Sequence, residues 1–150
     1  MKVIRITLQD DLETLVEEIN ASSWDDANEM PRYDAASLTA YLQRQDTVFV
    51  ACHDSEPSAI LLGIASCRLE IRPHVQELWL YVDEVDGCAD QRQRGVGKRI
   101  MTMLIEFADQ SGCEEVWLGT EVENAPANAL YQSLAPDDVA NVIGYTYETD

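Results

Sequence analysis

A chain of 150 residues with 46% hydrophobic content is long enough to bury the core of one domain, 1–150. No apolar run approaches the roughly 18–20 residues that cross a membrane. The 28 acids against 10 bases leave a formal charge of −18, which repels nucleic acid and anionic membrane and attracts cationic partners.

The opening MKVIRITLQDD alternates and then turns acidic, so no secretory signal is expected, and residues 1–8 read as a strand. Residues 9–19 follow as a helix capped by Asp10 or Asp11, with Leu12, Leu15, Val16 and Ile19 at helical spacing. ASSWDDANEMPRYD is an acidic, proline-broken loop or short helix, and Asp34 starts a second helix over 35–44. TVFVACH and AILLGIASCRLEI are two strands joined by the turn DSEPS, and ELWLYVDEV is a third. Residues 95–112 form an amphipathic helix with Val96, Ile100, Met103, Leu104 and Phe107 on one stripe and Gly112 as its cap. EEVWLGTEV is a strand, APANALYQSL a helix and VIGYTYE a terminal strand. The order β-α-α-β-β-β-α-β-α-β implies an α/β (α+β) class with a mixed sheet between helices. Cys52, Cys67, Cys88 and Cys113 lie far apart with no C-x-x-C pair, so neither a metal site nor a disulfide framework is expected. Free thiols in a reducing cytoplasm are the expectation.

The charge is unevenly spread. Arg92, Arg94, Lys98 and Arg99 are four of the ten bases, and no Lys or Arg follows Arg99. The acidic remainder suits either solubility in a salt-rich medium or the steering of a cation. Within the basic stretch, Gly95 and Gly97 stand at a strand-to-helix turn, where a missing Cβ lets a ligand reach the backbone. The helix start adds unpaired N–H groups and the positive end of a dipole, which together make an anion site suited to a pyrophosphate. Neither the P-loop G-x-x-x-x-G-K-S/T nor a dinucleotide G-x-G-x-x-G matches, since position 100 is Ile.

Arg92-Gln93-Arg94-Gly95-Val96-Gly97 after the strand LWLYVDEV resembles the acetyl-CoA pyrophosphate loop, Q/R-x-x-G-x-G/A, of the GNAT superfamily of N-acyltransferases. Asn124, Ala127, Leu130 and Tyr131 match a second family element, N-x-x-A-x-x-L-Y. The resemblance is close over 78–134 and extends through the element order to the whole chain. It implies the GNAT fold: a mixed, mostly antiparallel sheet of six or seven strands, helices on both faces, and central strands splayed for acetyl-CoA. It also implies that backbone amides from Gln93 to Lys98 hold the pyrophosphate, with Arg92 to Gly97 as the loop. The strand end from Val85 to Gly87 would pair with the pantetheine arm, Asn124 would lie beside the arm, and Tyr131 would protonate the departing thiolate.

An amine attacking a thioester must lose a proton, usually to a carboxylate or through a water. YVDEVD offers Asp83, Glu84 and Asp86, three charges in a strand that ordinarily disfavours them. Strand alternation puts Glu84 and Asp86 on one face and Asp83 on the other. Glu84 is the favoured base and Asp86 the runner-up; Tyr81 and Asp83 are assigned to the acceptor. The chain looks most like the aminoglycoside 3-N-acetyltransferase branch, in which carboxylates receive a polyamine sugar. Asp26 and Glu29 of the acidic loop would form the second wall of that cleft. The cationic amine partner would then be an aminoglycoside; a polyamine, a peptide amine or a non-catalytic CoA-binding module are the alternatives. A homodimer is compatible with the resemblance. The family's L-G-F after the Tyr helix reads Leu134-Ala135-Pro136 here, and Gly87 replaces a usual β-branched residue. Both departures bear on the acceptor and on the arm.

Overall fold

The computed structural model describes residues 1–24, 30–91 and 94–150. They fall into two compact units, Met1–Leu118 and Gly119–Asp150.

In the first unit, β1 (Lys2–Ile6), α1 (Leu12–Ala21), α2 (Ala35–Gln43), β2 (Thr47–His53), β3 (Leu61–Ile71), β4 (Leu78–Gly87), α3 (Val96–Gln110) and β5 (Cys113–Leu118) follow in order. Helix starts obey local chemistry. Asp11 rather than Asp10 caps α1, accepting from the Thr14 amide at 3.1 Å, while Asp10 accepts from the Thr7 amide in the preceding turn. Asp34 caps α2 through the amides of Ala36 and Ser37. Gly112 takes φ +78° just past α3, and its amide donates to Asp109 O, as a glycine at this position should.

The five strands lie in sequence order, β1-β2-β3-β4-β5, with β1 to β4 antiparallel and β4 to β5 parallel. Strand β2 is buried along six of its seven residues, because helices cover both faces. Leu15, Val16 and Ile19 of α1 and Leu38 of α2 pack on Phe49, Ala51 and Ile64. On the opposite face α3 buries Val96, Ile100, Met101, Leu104 and Ala108. Met101 and Ala108 thus replace Met103 and Phe107 on the expected stripe; the Phe107 ring lies instead under the Arg5 guanidinium, 5.2 Å from it. Contact between α3 and the sheet depends on Gly63. A Cβ there would lie 2.8 Å from both Asp86 O and Val96 Cγ1, and 3.0 Å from Ile100 Cδ1.

In the second unit, α4 (Ala125–Ser133) is capped by Asn124 Oδ1, which accepts from the Ala127 amide at 3.2 Å. Asn128 Nδ2 donates to Asn124 O, Glu121 O and Val122 O, tying the preceding turn to the helix. The helix ends with Ala135 in the left-handed region at φ +54°, where glycine is the usual occupant. The expected terminal strand over 142–148 is not formed. Val142, Ile143, Tyr145 and Tyr147 are 64–86% exposed, and the described sheet has five strands rather than six or seven. Alternation and β-branched or aromatic residues suit a strand there, but a strand exists only when its backbone finds a ladder. Cys52, Cys67 and Cys88 are buried free thiols and Cys113 is half-buried. Burial pushes the Cys67 thiol up to about 12, which leaves it unreactive.

Two substitutions test this packing. Gly63→Ala should destabilise the protein by about 1–3 kcal/mol, because backbone and branched side chains block the new methyl; a lower urea midpoint checks it. Ala135→Gly should stabilise the α4 terminus by about 0.5–1 kcal/mol through relief of the positive φ. Slower amide exchange in α4 is the readout.

Candidate active site

Strand β4 carries one residue more than β3 can pair. Ser66 pairs with Glu84 and Cys67 with Val82, so Asp83 is a bulge. Before it, Leu80 and Val82 are buried, and Val82 pairs with Cys67 on the α3 side of β3. After it, Glu84 pairs with Ser66 and Asp86 with Ile64, a residue of the α1–α2 core. Under unbroken alternation, Glu84 and Asp86 would continue the Val82 row toward α3. The bulge sends them to the other face.

That face holds Tyr33, which follows the loop after α1. Asn20 clamps its backbone in both directions, donating to Tyr33 O at 2.9 Å and accepting from its amide at 2.8 Å. The ring packs against Phe49 at 6.1 Å between centroids. Burial and then the charges of Glu84 and Asp86 push its hydroxyl up to about 12, so it stays a proton-bearing donor at neutral pH. Tyr33 was not singled out in the sequence. Its neighbours are remote in the chain, and only the α1–α2 connection carries it there.

Asp86 is half-buried, and burial followed by the nearby Glu84 charge raises its carboxyl to about 6. Glu84 is exposed. Neither has an ion-pair partner among the described residues. Asp83 behaves differently. The expectation that alternation sets it on the face away from Glu84 is overturned, because the bulge brings it to Arg68, across from Tyr81. Arg68 Nη2 and Nε donate to its carboxylate at 2.9 and 3.0 Å, and the guanidinium stacks 4.6 Å above the Tyr81 ring. Tyr81 in turn stacks on Trp117 at 4.8 Å. Tyr81 and Asp83 are therefore already engaged by a residue of the chain. Asp26 and Glu29 lie outside the described residues.

Beyond Val82, β4 continues to Gly87 alone. Its parallel pairing with β5 ends at Leu118, while its antiparallel pairing with β3 runs to Gly63. The backbone groups of 83–87 that turn away from β3, including those around Val85, thus lack a strand partner among the described residues. At Gly87 a Cβ would meet nothing within 4 Å, so this edge is open to a close approach.

The chain then turns into α3. Cys88 and Ala89 amides donate to Leu62 O and Ser23 O at 2.8 and 2.7 Å. Arg94 Nη2 and Nη1 donate to Asp54 at 3.0 and 3.1 Å, and Nη1 also to Gln91 Oε1 at 2.7 Å. The Arg94 guanidinium is thus spent on the β2–β3 turn and not free for a ligand. Gly95 sits at φ +76° with open space at its missing Cβ, and no side chain caps the helix. Arg99 is the first amide bonded into the helix, donating to Gly95 O at 2.9 Å. The amides of Val96, Gly97 and Lys98 stand at the positive end of a 15-residue helix, with the exposed Lys98 and Arg99 side chains beside them. These groups fit a pyrophosphate. Arg92 and Gln93 lie outside the described residues. In the second unit Asn124 serves as a helix cap and Tyr131 is a half-buried residue of α4.

Comparison with known proteins agrees with this architecture. The family model "Acetyltransferase (GNAT) family" matches residues 12–135. A mouse protein, N-acetyltransferase family 8 member 3, is 27% identical over 115 residues, covering 76% of this chain and 49% of its own. The chain therefore spans about half the length of the curated relative it matches. Among solved structures, an aminoglycoside acetyltransferase from an uncultured soil metagenomic sample, in complex with sisomicin, superposes with a TM-score of 0.82 at 16% identity. The match covers 99% of this chain and 96% of that one. A ribosomal-protein-alanine N-acetyltransferase from Brucella melitensis biovar Abortus 2308 gives 0.75 at 16% identity, with 99% and 98% covered. The aminoglycoside N-acetyltransferase AAC(6′)-Iy in complex with CoA gives 0.72 at 16%, with 99% and 100% covered. With a family model covering most of its length and this sheet, bulge and open helix start in place, the chain belongs to the acetyltransferase (GNAT) family, whose members use acetyl-CoA.

Proposed function

We propose that residues 1–150 act as one catalytic domain, an acetyl-CoA-dependent N-acetyltransferase that passes acetyl directly to an amine of a cationic small molecule. The observation that carries the reading is the run from β4 into α3. One strand presents two carboxylates and a backbone edge that have no partner among the described residues, and then ends at a glycine-led helix start with no side-chain cap. An anionic cofactor arm and a cationic acceptor are thereby served within about ten residues of chain.

The backbone amides from Gln93 to Lys98 bind the pyrophosphate, and the edge at Val85–Gly87 binds the pantetheine amides as an added strand would. Bound acetyl-CoA supplies the activated acetyl thioester. Glu84 and Asp86 hold the acceptor's ammonium, and a carboxylate of this pair takes the proton that frees the nitrogen lone pair. With its carboxyl near 6, Asp86 suits that exchange close to neutral pH, and Glu84 at the solvent end passes the proton outward. Tyr131 Oη donates the proton to the departing thiolate sulfur, and Asn124 lies beside the arm; both roles rest on the family motif. Placing amine and thioester together accounts for up to roughly 7–11 kcal/mol of barrier lowering.

For the acceptor we read an aminoglycoside, acetylated at the 3-N position. Support comes from the unpaired carboxylates, the charge of −18 and the resemblance of the loop and α4 motif to that branch. Polyamines and peptide amines have the same chemistry at the reacting nitrogen, and a bound form of CoA without transfer is the remaining alternative.

A thiol-release assay with acetyl-CoA and aminoglycosides, polyamines and peptide N-termini tests the reading. Kanamycin- or gentamicin-type amines should release thiol. Release with another amine alone would refute the acceptor, and release with none would refute the transferase. Tyr131→Phe should lower kcat at least tenfold with little change in CoA affinity. Because the base works deprotonated, kcat/KM should fall as pH drops through about 6, and Asp86→Asn should remove that limb. The same carboxyl binds its proton more tightly folded than unfolded, so it costs stability as pH rises from about 4 to 6. Asp86→Asn should therefore stabilise the protein at pH 7.5 by about 1 kcal/mol after solvent screening, and not at pH 4; thermal melts at both pH values check this.

A further inference from the structure

The face that carries Glu84 and Asp86 continues toward β5 as a cluster of acids and stacked rings. Glu70 and Asp83 supply carboxylates, while Tyr81 and Trp117 supply aromatic faces set 25° apart. Such a combination is what a second ammonium group would seek, through charge and through the ring quadrupole. It is filled by the protein itself. Arg68 donates from Nε and Nη2 to Asp83, from Nη1 to Glu70 at 2.7 Å, and covers Tyr81 with the plane of its guanidinium.

The position of Arg68 gives this a consequence for the acceptor. Arg68 lies two residues along β3 from Ser66, which pairs with Glu84. Two residues on a strand span about 6.6 Å on the same face, close to the spacing of neighbouring charges in a polyamine. A cation seated at Glu84 and Asp86 would thus bring its next charge against the Arg68 guanidinium.

We infer that Arg68 is a specificity-determining residue: by occupying the Glu70–Asp83–Tyr81–Trp117 cluster with the chain's own cation, it confines the acceptor's positive charge to the Glu84–Asp86 end. Acceptors then bind with one reacting amine inward and their remaining charges directed away from β3 and β5. The sense of "acceptor" rests on the acetyltransferase reading, whereas exclusion of a second cation does not. Arg68 and Asp83 are partly exposed, with side-chain exposures of 42% and 31%, so losing their ion pair should cost the fold little.

Equilibrium binding of n-butylamine and spermine to the whole chain tests the inference, with Arg68→Gln compared with Arg72→Gln. Arg72 directly follows β3 and lies over the Trp79 ring, so its replacement makes the same change in net charge away from Glu70 and Asp83. In Arg68→Gln the spermine Kd should fall at least tenfold while the butylamine Kd stays within twofold. In Arg72→Gln both should stay within threefold. Equal gains in the two variants would mean that net charge alone is at work, and an unchanged spermine Kd would mean that the Glu70–Asp83 cluster takes no second cation; either overturns the inference. Arg68→Lys keeps a cation in place and should leave spermine binding within threefold, so a tenfold gain there also overturns it, even if Arg68→Gln fails to fold by circular dichroism. If no amine releases thiol with the wild-type chain, the acetyltransferase reading falls and these binding ratios still stand or fail by themselves.

Discussion

The arrangement of this molecule depends on a mismatch of one residue between β3 and β4. Val82 is fixed by burial on the α3 side and Asp86, on the opposite face, by its pairing with Ile64; three residues lie between them, where regular alternation needs an even number to reach the opposite face. The surplus is absorbed at Asp83, in a bulge held by the Arg68 fork. From that point the strand shows acid, not aliphatic, to the α1–α2 face. A bulge also increases local twist, and β4 runs on for five residues after β5 has ended. The open backbone edge and the paired carboxylates have a common origin in this stretch.

A second set of restraints carries this geometry into the helix. Gly63 lets α3 approach β3 and the Asp86 carbonyl, and no side chain would fit there without displacing one of them. Cys88 and Ala89 tie the strand exit to Leu62 and Ser23, and Asp54 fixes Arg94 one residue before the left-handed Gly95. The helix start is thus held open by bonds that lie outside it. This differs from a helix whose own side chain caps its first turn, as Asp11 and Asp34 do for α1 and α2.

Charge follows the same division. Of the basic cluster around Gly95 and Gly97, Arg94 is neutralised by Asp54, and the exposed Lys98 and Arg99 accompany the free amides. On the acid side, Asp83 and Glu70 share the single charge of Arg68, and Glu84 and Asp86 have no counterion among the described residues. What the site offers to ligands is smaller and more local than a net charge of −18 suggests. Burial beside a like charge then tunes Asp86 toward neutrality, an effect of position and not of composition.

The sequence by itself determined the order and type of the elements through β5 and α4, because apolar periodicity, Asp caps and a glycine past α3 act over a few residues at a time. It also singled out the loop as a candidate anion site, since two glycines at a helix start and a helix dipole are local features. Long-range partners were beyond it. Simple alternation put Asp83 opposite Glu84, since a bulge depends on what the neighbouring strand can bury. Residues 142–148 read as a strand, but pairing needs an edge to receive them. Tyr33, Arg68 and Asp54 carry no motif, and each owes its place to a residue 13 to 40 positions away. Only the tertiary structure decided which carboxylates were left unpaired, because that depends on which cations the fold brings within reach.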